Sequence, residues 1–266
     1  MDRVVSSAVR ENALELVGRR ILVTGGSRGI GRAVVARLAA SGASVVASAR
    51  EAPRDLPAQV SFVPADVATA DGCARLVSAA SDLLGGIDVL VNNAGGGGVA
   101  PAGLLSATDE SWEHALQLNL LSAVRLDRAV VPGMVSRGDG SIIHITSVGA
   151  YLPVGPDAPY AAAKAALSTY SKALANEFAP RGVRVNRISP GLVENDTIAA
   201  LMARRSDAEA DDPQARMLDD WVSGIPLGRP GKPADVAELV AFLVSGRAAW
   251  ISGSDFRVDG GSYRGV

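Results

Sequence analysis

The chain has 266 residues, 48% of them hydrophobic, enough to bury one large core, and open α/β sheets commonly use this length as one domain. With a formal net charge of -2 and no run of Lys or Arg, nothing draws it to a phosphate backbone or an anionic membrane, so neither is expected as a partner. Cys73 is the only cysteine, which excludes a disulfide within the chain and fits a reducing compartment.

Residues 1–18 read as an N-terminal lead-in. Arg3, Arg10, Glu11 and Glu15 interrupt its apolar residues, so it carries neither the apolar core of a signal peptide nor a membrane span, and a cytoplasmic protein is expected. Residues 19–266 read as a single domain. Strands are expected at Arg20–Thr24, Ser44–Ser48, Val60–Pro64, Ile87–Asn92, Ser141–Thr146, Val183–Ile188 and Asp255–Val258. Helices are expected at Gly29–Ala40, Asp71–Leu84, Asp109–Val131, Ala158–Ala179 and Ala234–Val244. This alternation predicts an α/β fold, a single Rossmann-type doubly wound parallel sheet of about seven strands with helices on both faces. Runs such as Ile21-Leu22-Val23 and Val89-Leu90-Val91 leave neither sheet face for water. The charged, poorly periodic stretch from Glu194 to Ile225 predicts a substrate lid at about residues 192–225.

The first strand runs straight into Thr24-Gly25-Gly26-Ser27-Arg28-Gly29-Ile30-Gly31 and then a helix. Glycines there allow a tight turn and a close approach to a pyrophosphate, and the helix N-terminus offers unpaired N–H groups to its oxygens. Tyr160 and Lys164 are four residues apart in an alanine-rich helix entered through Pro159, so both project from one helix face. A neighbouring ammonium and a positively charged oxidised nicotinamide both favour phenolate and are expected to lower the Tyr160 pKa, as acid-base chemistry near neutral pH requires. Ser147 follows a strand, and strand C-termini are where open α/β sheets assemble ligand sites.

The spacing of Gly25, Gly29 and Gly31 resembles the Thr-Gly-x-x-x-Gly-x-Gly turn of the short-chain dehydrogenases/reductases. The resemblance continues through Asp66-Val67, Asn92-Asn93-Ala94-Gly95, Asn119, Ser147, Tyr160-x-x-x-Lys164, Pro190-Gly191 and Val258-Asp259-Gly260-Gly261. Within that family the chain looks most like the reductases of carrier-bound 3-oxoacyl chains. The resemblance implies a catalytic set of Asn119, Ser147, Tyr160 and Lys164: Ser147 holds the substrate oxygen, Tyr160 passes the proton, Lys164 binds the nicotinamide ribose and tunes Tyr160, and Asn119 supports a water-linked proton path. It implies cofactor contacts from Gly25, Ser27, Arg28, Gly29, Ile30 and Gly31 in the turn, Asp66 and Val67 at the adenine edge, and Asn92, Ala94 and Gly95 under the riboses. Tyr160, Lys164, Pro190, Gly191 and Val193 complete the cofactor site, with Val193 at the carboxamide. The family often has threonine two residues after Val193, where this chain has Asn195.

NAD-selective relatives commonly carry Asp at the end of the second strand, where this chain has Ala49 followed by Arg50. With Arg28 in the turn, two guanidinium groups can face a 2'-phosphate, so NADP(H) is the expected cofactor. No metal is expected, and His114 and His144 read as packing or surface residues. The expected substrate is a carbonyl or secondary alcohol, such as a 3-oxoacyl compound or ketone, in a mainly apolar pocket. That pocket is framed by Gly97, Val99, Tyr151, Leu152, Val154, Leu192, Met202, Met217 and Trp221. A homo-oligomer, a tetramer or a dimer, is expected from family pairing through the helices of Asn119 and Tyr160 and through the C-terminal segment. A sugar or steroid alcohol dehydrogenase is an alternative, as is a catalytically silent dinucleotide sensor or scaffold, although the intact Ser147, Tyr160 and Lys164 set argues against the latter.

Overall fold

The computed structural model describes residues 15–53, 55–97, 103–153, 157–195, 198 and 219–265. In chain order the elements are β1 (Arg20–Thr24), α1 (Gly29–Ala40), β2 (Ser44–Ala49), β3 (Val60–Pro64), α2 (Ala70–Leu84), β4 (Val89–Asn92) and α3 (Asp109–Leu116). A π-helical turn (Gln117–Leu121) then leads into α4 (Ser122–Arg137), β5 (Gly140–Ile145), α5 (Ala158–Phe178), β6 (Val183–Pro190), α6 (Pro233–Val244) and β7 (Asp255–Val258). The seven strands form one sheet of order β3-β2-β1-β4-β5-β6-β7, and every pairing is parallel. The expected doubly wound sheet is therefore the fold.

Strand periodicity sends alternate residues to opposite faces and divides the core in two. Ile21, Val23, Val45, Ala47, Val89, Val91, Ile143 and Ile145 meet Val34, Val35 and Leu38 of α1 and Val236, Val240 and Val244 of α6. Leu22, Val46, Leu90, Ile142, Val183 and Val185 meet Leu76 and Ala80 of α2, Leu126, Val130 and Met134 of α4, and Leu174 of α5 on the other face. Truncating one of the fully buried leucines, such as Leu22 or Leu90, removes about 2–5 kcal/mol of stability. The end of the lead-in joins this core: Leu16 is fully buried, and Glu15 faces Arg37 and Arg247 at 3.6 and 3.5 Å. No helix among the described residues is long and apolar enough to cross a membrane.

The chain runs outward from β1 in both directions, through β2 and β3 on one side and β4 to β7 on the other. The crossover connections after β1 and β4 diverge there and leave a crevice at the strand C-termini. The helix expected over Asp109–Val131 runs on to Arg137 and widens into a π-helical turn at Gln117–Leu121, from which Asn119 reaches the Gly96 backbone beside the cleft.

Candidate active site

The loops at the strand C-termini enclose a cleft of about 1060 Å³, at the upper end of the range for ligand pockets, roughly 300–1,000 Å³. It brings together the turn residues Gly25, Ser27, Arg28, Gly29, Ile30 and Gly31 with Arg50, Asp66, Val67, Ala94 and Gly95. At its other end stand Ser147, Tyr160, Lys164, Pro190, Gly191 and Val193.

Two glycines of the turn do different work. Gly29 opens α1 with φ +52, and nothing lies within 4 Å of the place a Cβ would occupy, so the mouth of the helix stays clear. A Cβ on Gly31 would fall 2.1 Å from the Gly25 carbonyl oxygen, so this glycine lets the helix sit on the turn. Thr24 and Asn93 staple the turn to the loop after β4. The Thr24 Oγ1 accepts from the backbone N–H of Asn93 and Ala94 at 3.1 and 3.0 Å, and Asn93 Nδ2 donates to the Thr24 and Gly25 carbonyls at 2.8 and 3.1 Å. A clear helix N-terminus behind a glycine turn fits a pyrophosphate, and the cleft beyond it is long enough to reach from Arg50 to Tyr160. Asp66 folds back to accept from the Ala68 N–H at 3.0 Å, leaving Val67 at the cleft wall.

At the far end, Ser147 follows β5 and its Oγ accepts from the Gly149 N–H at 3.0 Å. Tyr160 and Lys164 rise from the first turns of α5, and the Lys164 Nζ stands 5.7 Å from the centre of the Tyr160 ring. That amine is 3% exposed and donates to the Ile145 carbonyl at 2.8 Å. Asn119 does not line the cleft. It supports the wall from behind, exchanging both amide bonds with the Gly96 backbone at 3.0 Å. A Cβ on Gly95 would fall 2.8 Å from Asn119 Oδ1 and 3.0 Å from Lys164 Nζ, so both groups converge on that glycine.

The Tyr160 pKa departs from the sequence expectation. Burial pushes the phenol above its ordinary value, interaction with the Ser147 hydroxyl pulls it down, and the Asp157 carboxylate raises it again. Lys164 is not among the groups that shift it: its amine donates to the Ile145 carbonyl and lies over the ring, 5.7 Å from its centre. Lys164 itself is pushed down to about 8 by burial. An amine with a lowered folded pKa holds fewer protons folded than unfolded between that value and about 10.4, so this site's contribution to stability rises with pH across the window. Lys164→Met removes the titration. The advantage in denaturation midpoint of Lys164→Met over the wild-type protein is therefore expected to shrink from pH 8 to pH 10, and a constant difference would contradict the low pKa.

Asn92 turns away from the cleft. It shares the Leu90 face of β4, is 5% exposed, and donates to Asp127 Oδ1 of α4 at 2.8 Å. Asp127 Oδ2 meets His144 Nε2 at 3.0 Å, and His144 Nδ1 meets the Ser171 hydroxyl at 3.0 Å, so His144 belongs to a buried polar cluster. Asn93, one position on, is the asparagine that lines the cleft. His114 does so too, with Leu118 one turn later, an i, i+4 spacing just before Asn119 that was visible in the sequence. Of the expected apolar pocket, Gly97 lines the cleft, whereas Tyr151, Leu152, Leu192 and Trp221 do not. The Tyr151 hydroxyl instead donates to Asp255 at 2.5 Å, and Trp221 is 48% exposed. Val99, Val154, Met202 and Met217 lie outside the described residues, as do Asp196 and Thr197, while Asn195 Oδ1 accepts from the Ile198 N–H at 2.9 Å.

A family model described as enoyl-(acyl carrier protein) reductase matches residues 25–263. The chain is 36% identical to the 3-oxoacyl-(acyl-carrier-protein) reductase of Vibrio cholerae, over 94% of this chain and 99% of that one. It is also 36% identical to dehydrogenase/reductase SDR family member 4 of Sus scrofa, over 98% of this chain and 92% of the relative. Among solved structures, L-sorbose reductase from Gluconobacter frateurii in complex with NADPH and L-sorbose matches with a TM-score of 0.84 at 33% identity, covering 96% of this chain and 100% of that one. With the parallel sheet, the glycine turn and the cleft at the strand ends, these matches make the chain a member of the short-chain dehydrogenase/reductase family, oxidoreductases that use NAD(P) and act on carbonyl or alcohol groups.

Proposed function

We propose that the protein is an NADP(H)-dependent reductase or dehydrogenase that interconverts a ketone and a secondary alcohol, with Tyr160 as the acid-base group. The observation that carries this reading is the meeting of Ser147, Tyr160 and Lys164 at one end of a cleft whose other end holds Arg28 and Arg50. The bound nicotinamide supplies or accepts the hydride. In reduction, the Tyr160 phenol gives its proton to the carbonyl oxygen, and the Ser147 hydroxyl donates a hydrogen bond to the same oxygen as negative charge develops on it. The raised pKa of the phenol keeps it protonated and ready to donate at neutral pH. Lys164, fixed by the Ile145 carbonyl, holds positive charge beside the phenol below about pH 8, and Asn119 fixes the Gly95–Gly96 wall against which Lys164 packs.

The relationship to 3-oxoacyl reductases supports an acyl ketone as substrate; the lid expected at residues 192–225 lies mostly outside the described residues. The likeness to an L-sorbose reductase supports a polyhydroxy ketone as the second reading. Spectrophotometry of NADPH oxidation across 3-oxoacyl thioesters, simple ketones and ketoses tests the proposal. Turnover of at least one class carries it, and no turnover of any class, with NADPH bound, would leave the silent sensor.

The same reading includes a homo-oligomer. A groove of about 390 Å³ between α4 and α5 presents Val131, Val135, Tyr170, Leu174 and Phe178, an apolar surface suited to a second copy of the same helices. Light scattering at micromolar concentration is expected to give the mass of a dimer or tetramer, and a monomeric mass would refute the assembly.

A further inference from the structure

Asp157 stands at the N-cap of α5, one helical turn before Tyr160. An aspartate at this position ordinarily accepts a backbone N–H from the second or third helical residue. Here it accepts neither, and Pro159, at the second position, has no N–H to give. The carboxylate packs instead on Gly97 of the cleft wall, where a Cβ would meet Oδ1 at 2.5 Å and Oδ2 at 2.8 Å. Oδ1 is buried and has no hydrogen-bond partner among the described residues. Burial raises the carboxyl pKa, and the charge reaches Tyr160, whose phenol it disfavours ionising. A buried acceptor without a donor is costly, and no described residue of the helix or the cleft wall supplies one.

We propose that Asp157 is a specificity-determining residue that binds a hydrogen-bond donor, a hydroxyl or an ammonium, carried by the substrate on the carbon next to the reacting carbonyl. Asp157 does not itself line the described cleft, but Gly97, on which its carboxylate packs, does, and a substrate whose carbonyl oxygen is held by Tyr160 and Ser147 brings the adjacent substituent toward that contact. A ketone that offers only methylene there leaves the carboxylate unsatisfied, and sites built to hydrogen-bond a substrate group discriminate strongly against analogues that lack it. This rests on the oxidoreductase reading, favours its polyhydroxy-ketone form over a 3-oxoacyl chain, which carries only methylene on both sides of the carbonyl, and turns the substrate end of the cleft from apolar to donor-selective.

Hydroxyacetone, aminoacetone and 2-butanone differ only in the group next to the carbonyl, and their kcat/KM values with NADPH test the inference. The wild-type protein is expected to prefer hydroxyacetone or aminoacetone over 2-butanone by about 10- to 100-fold, the equivalent of one hydrogen bond to a charged group. Which of the two leads identifies the donor. Asp157→Ala is expected to erase the preference. Asp157→Asn, of the same shape, keeps part of a hydroxyl preference and loses an ammonium one, with NADPH fluorescence titration verifying that each variant is folded. Turnover of 2-butanone without any preference in the wild-type protein, or the same preference in Asp157→Ala, overturns the assignment of Asp157 and leaves the oxidoreductase reading standing. No turnover of these or any other ketone, with NADPH bound, overturns both.

Discussion

Tyr160→Phe is expected to lower kcat by about 10²–10⁴-fold, the usual range for losing a general acid, while NADPH affinity changes no more than a few-fold. The substitution deletes one oxygen and its proton and keeps the ring that packs beside Gly149 and Lys164. Among the described residues, Tyr160 is the side chain whose hydroxyl is seen to interact with Ser147. Lys164 Nζ points at the Ile145 carbonyl, and Asn119 is engaged with Gly96 and Ala115. Ser147→Ala is expected to be less severe, since it removes one hydrogen bond to the developing oxyanion and leaves the proton in place. Near-normal kcat for Tyr160→Phe, measured by stopped-flow so that product release does not hide the chemical step, would remove Tyr160 from the acid-base role.

The two ends of this site were legible in the sequence to different degrees. Strand positions could be read because alternating apolar residues must face both helix layers, and β1, β3, β7 and α1 fall where the pattern puts them. The glycine turn and Tyr160-x-x-x-Lys164 were legible because both are local: one strand–turn–helix junction and one helix face. Strand parity turns the Asn92 side chain away from the cleft, which motif membership alone does not report. Leu90 and Asn92 must share a face of β4, that face carries α4, and Asp127 is what Asn92 meets there. The direction of the Tyr160 pKa was out of reach for another reason. It depends on burial, on where the Lys164 ammonium points and on Asp157, none of which spacing along a helix can report. The π-helical turn at Asn119 is likewise invisible to a pattern that continues with helical period through it.

The cofactor end carries the second large effect. Arg50→Ala is expected to weaken NADPH binding by about 1.5–3 kcal/mol, roughly ten- to a hundredfold, and to leave NADH binding almost unchanged. Arg28 and Arg50 both line the cleft and both are exposed, and neither makes an ion pair among the described residues, so their guanidinium groups are available to a phosphate. The neighbouring cation Arg32 is engaged with Asp55. Glu51 also lines the cleft without pairing to Arg50, and its charge opposes a 2'-phosphate; Glu51→Gln should therefore tighten NADPH, in the opposite sense to Arg50→Ala. Ala49 supplies the sharper contrast. It closes β2 beside the same cleft, and Ala49→Asp would put there a carboxylate that accepts from free ribose hydroxyls and repels the phosphate. Because Arg28 sits at the N-cap of α1 on a separate loop from Arg50, the two truncations should be close to additive unless both hold one phosphate oxygen, in which case the double variant loses less than the sum. The decisive quantity is the ratio of kcat/KM with NADPH to that with NADH. It should exceed one in the wild-type protein, fall in Arg50→Ala and in Arg28→Ala, and fall furthest in Ala49→Asp; a wild-type preference for NADH would refute the assignment of both arginines.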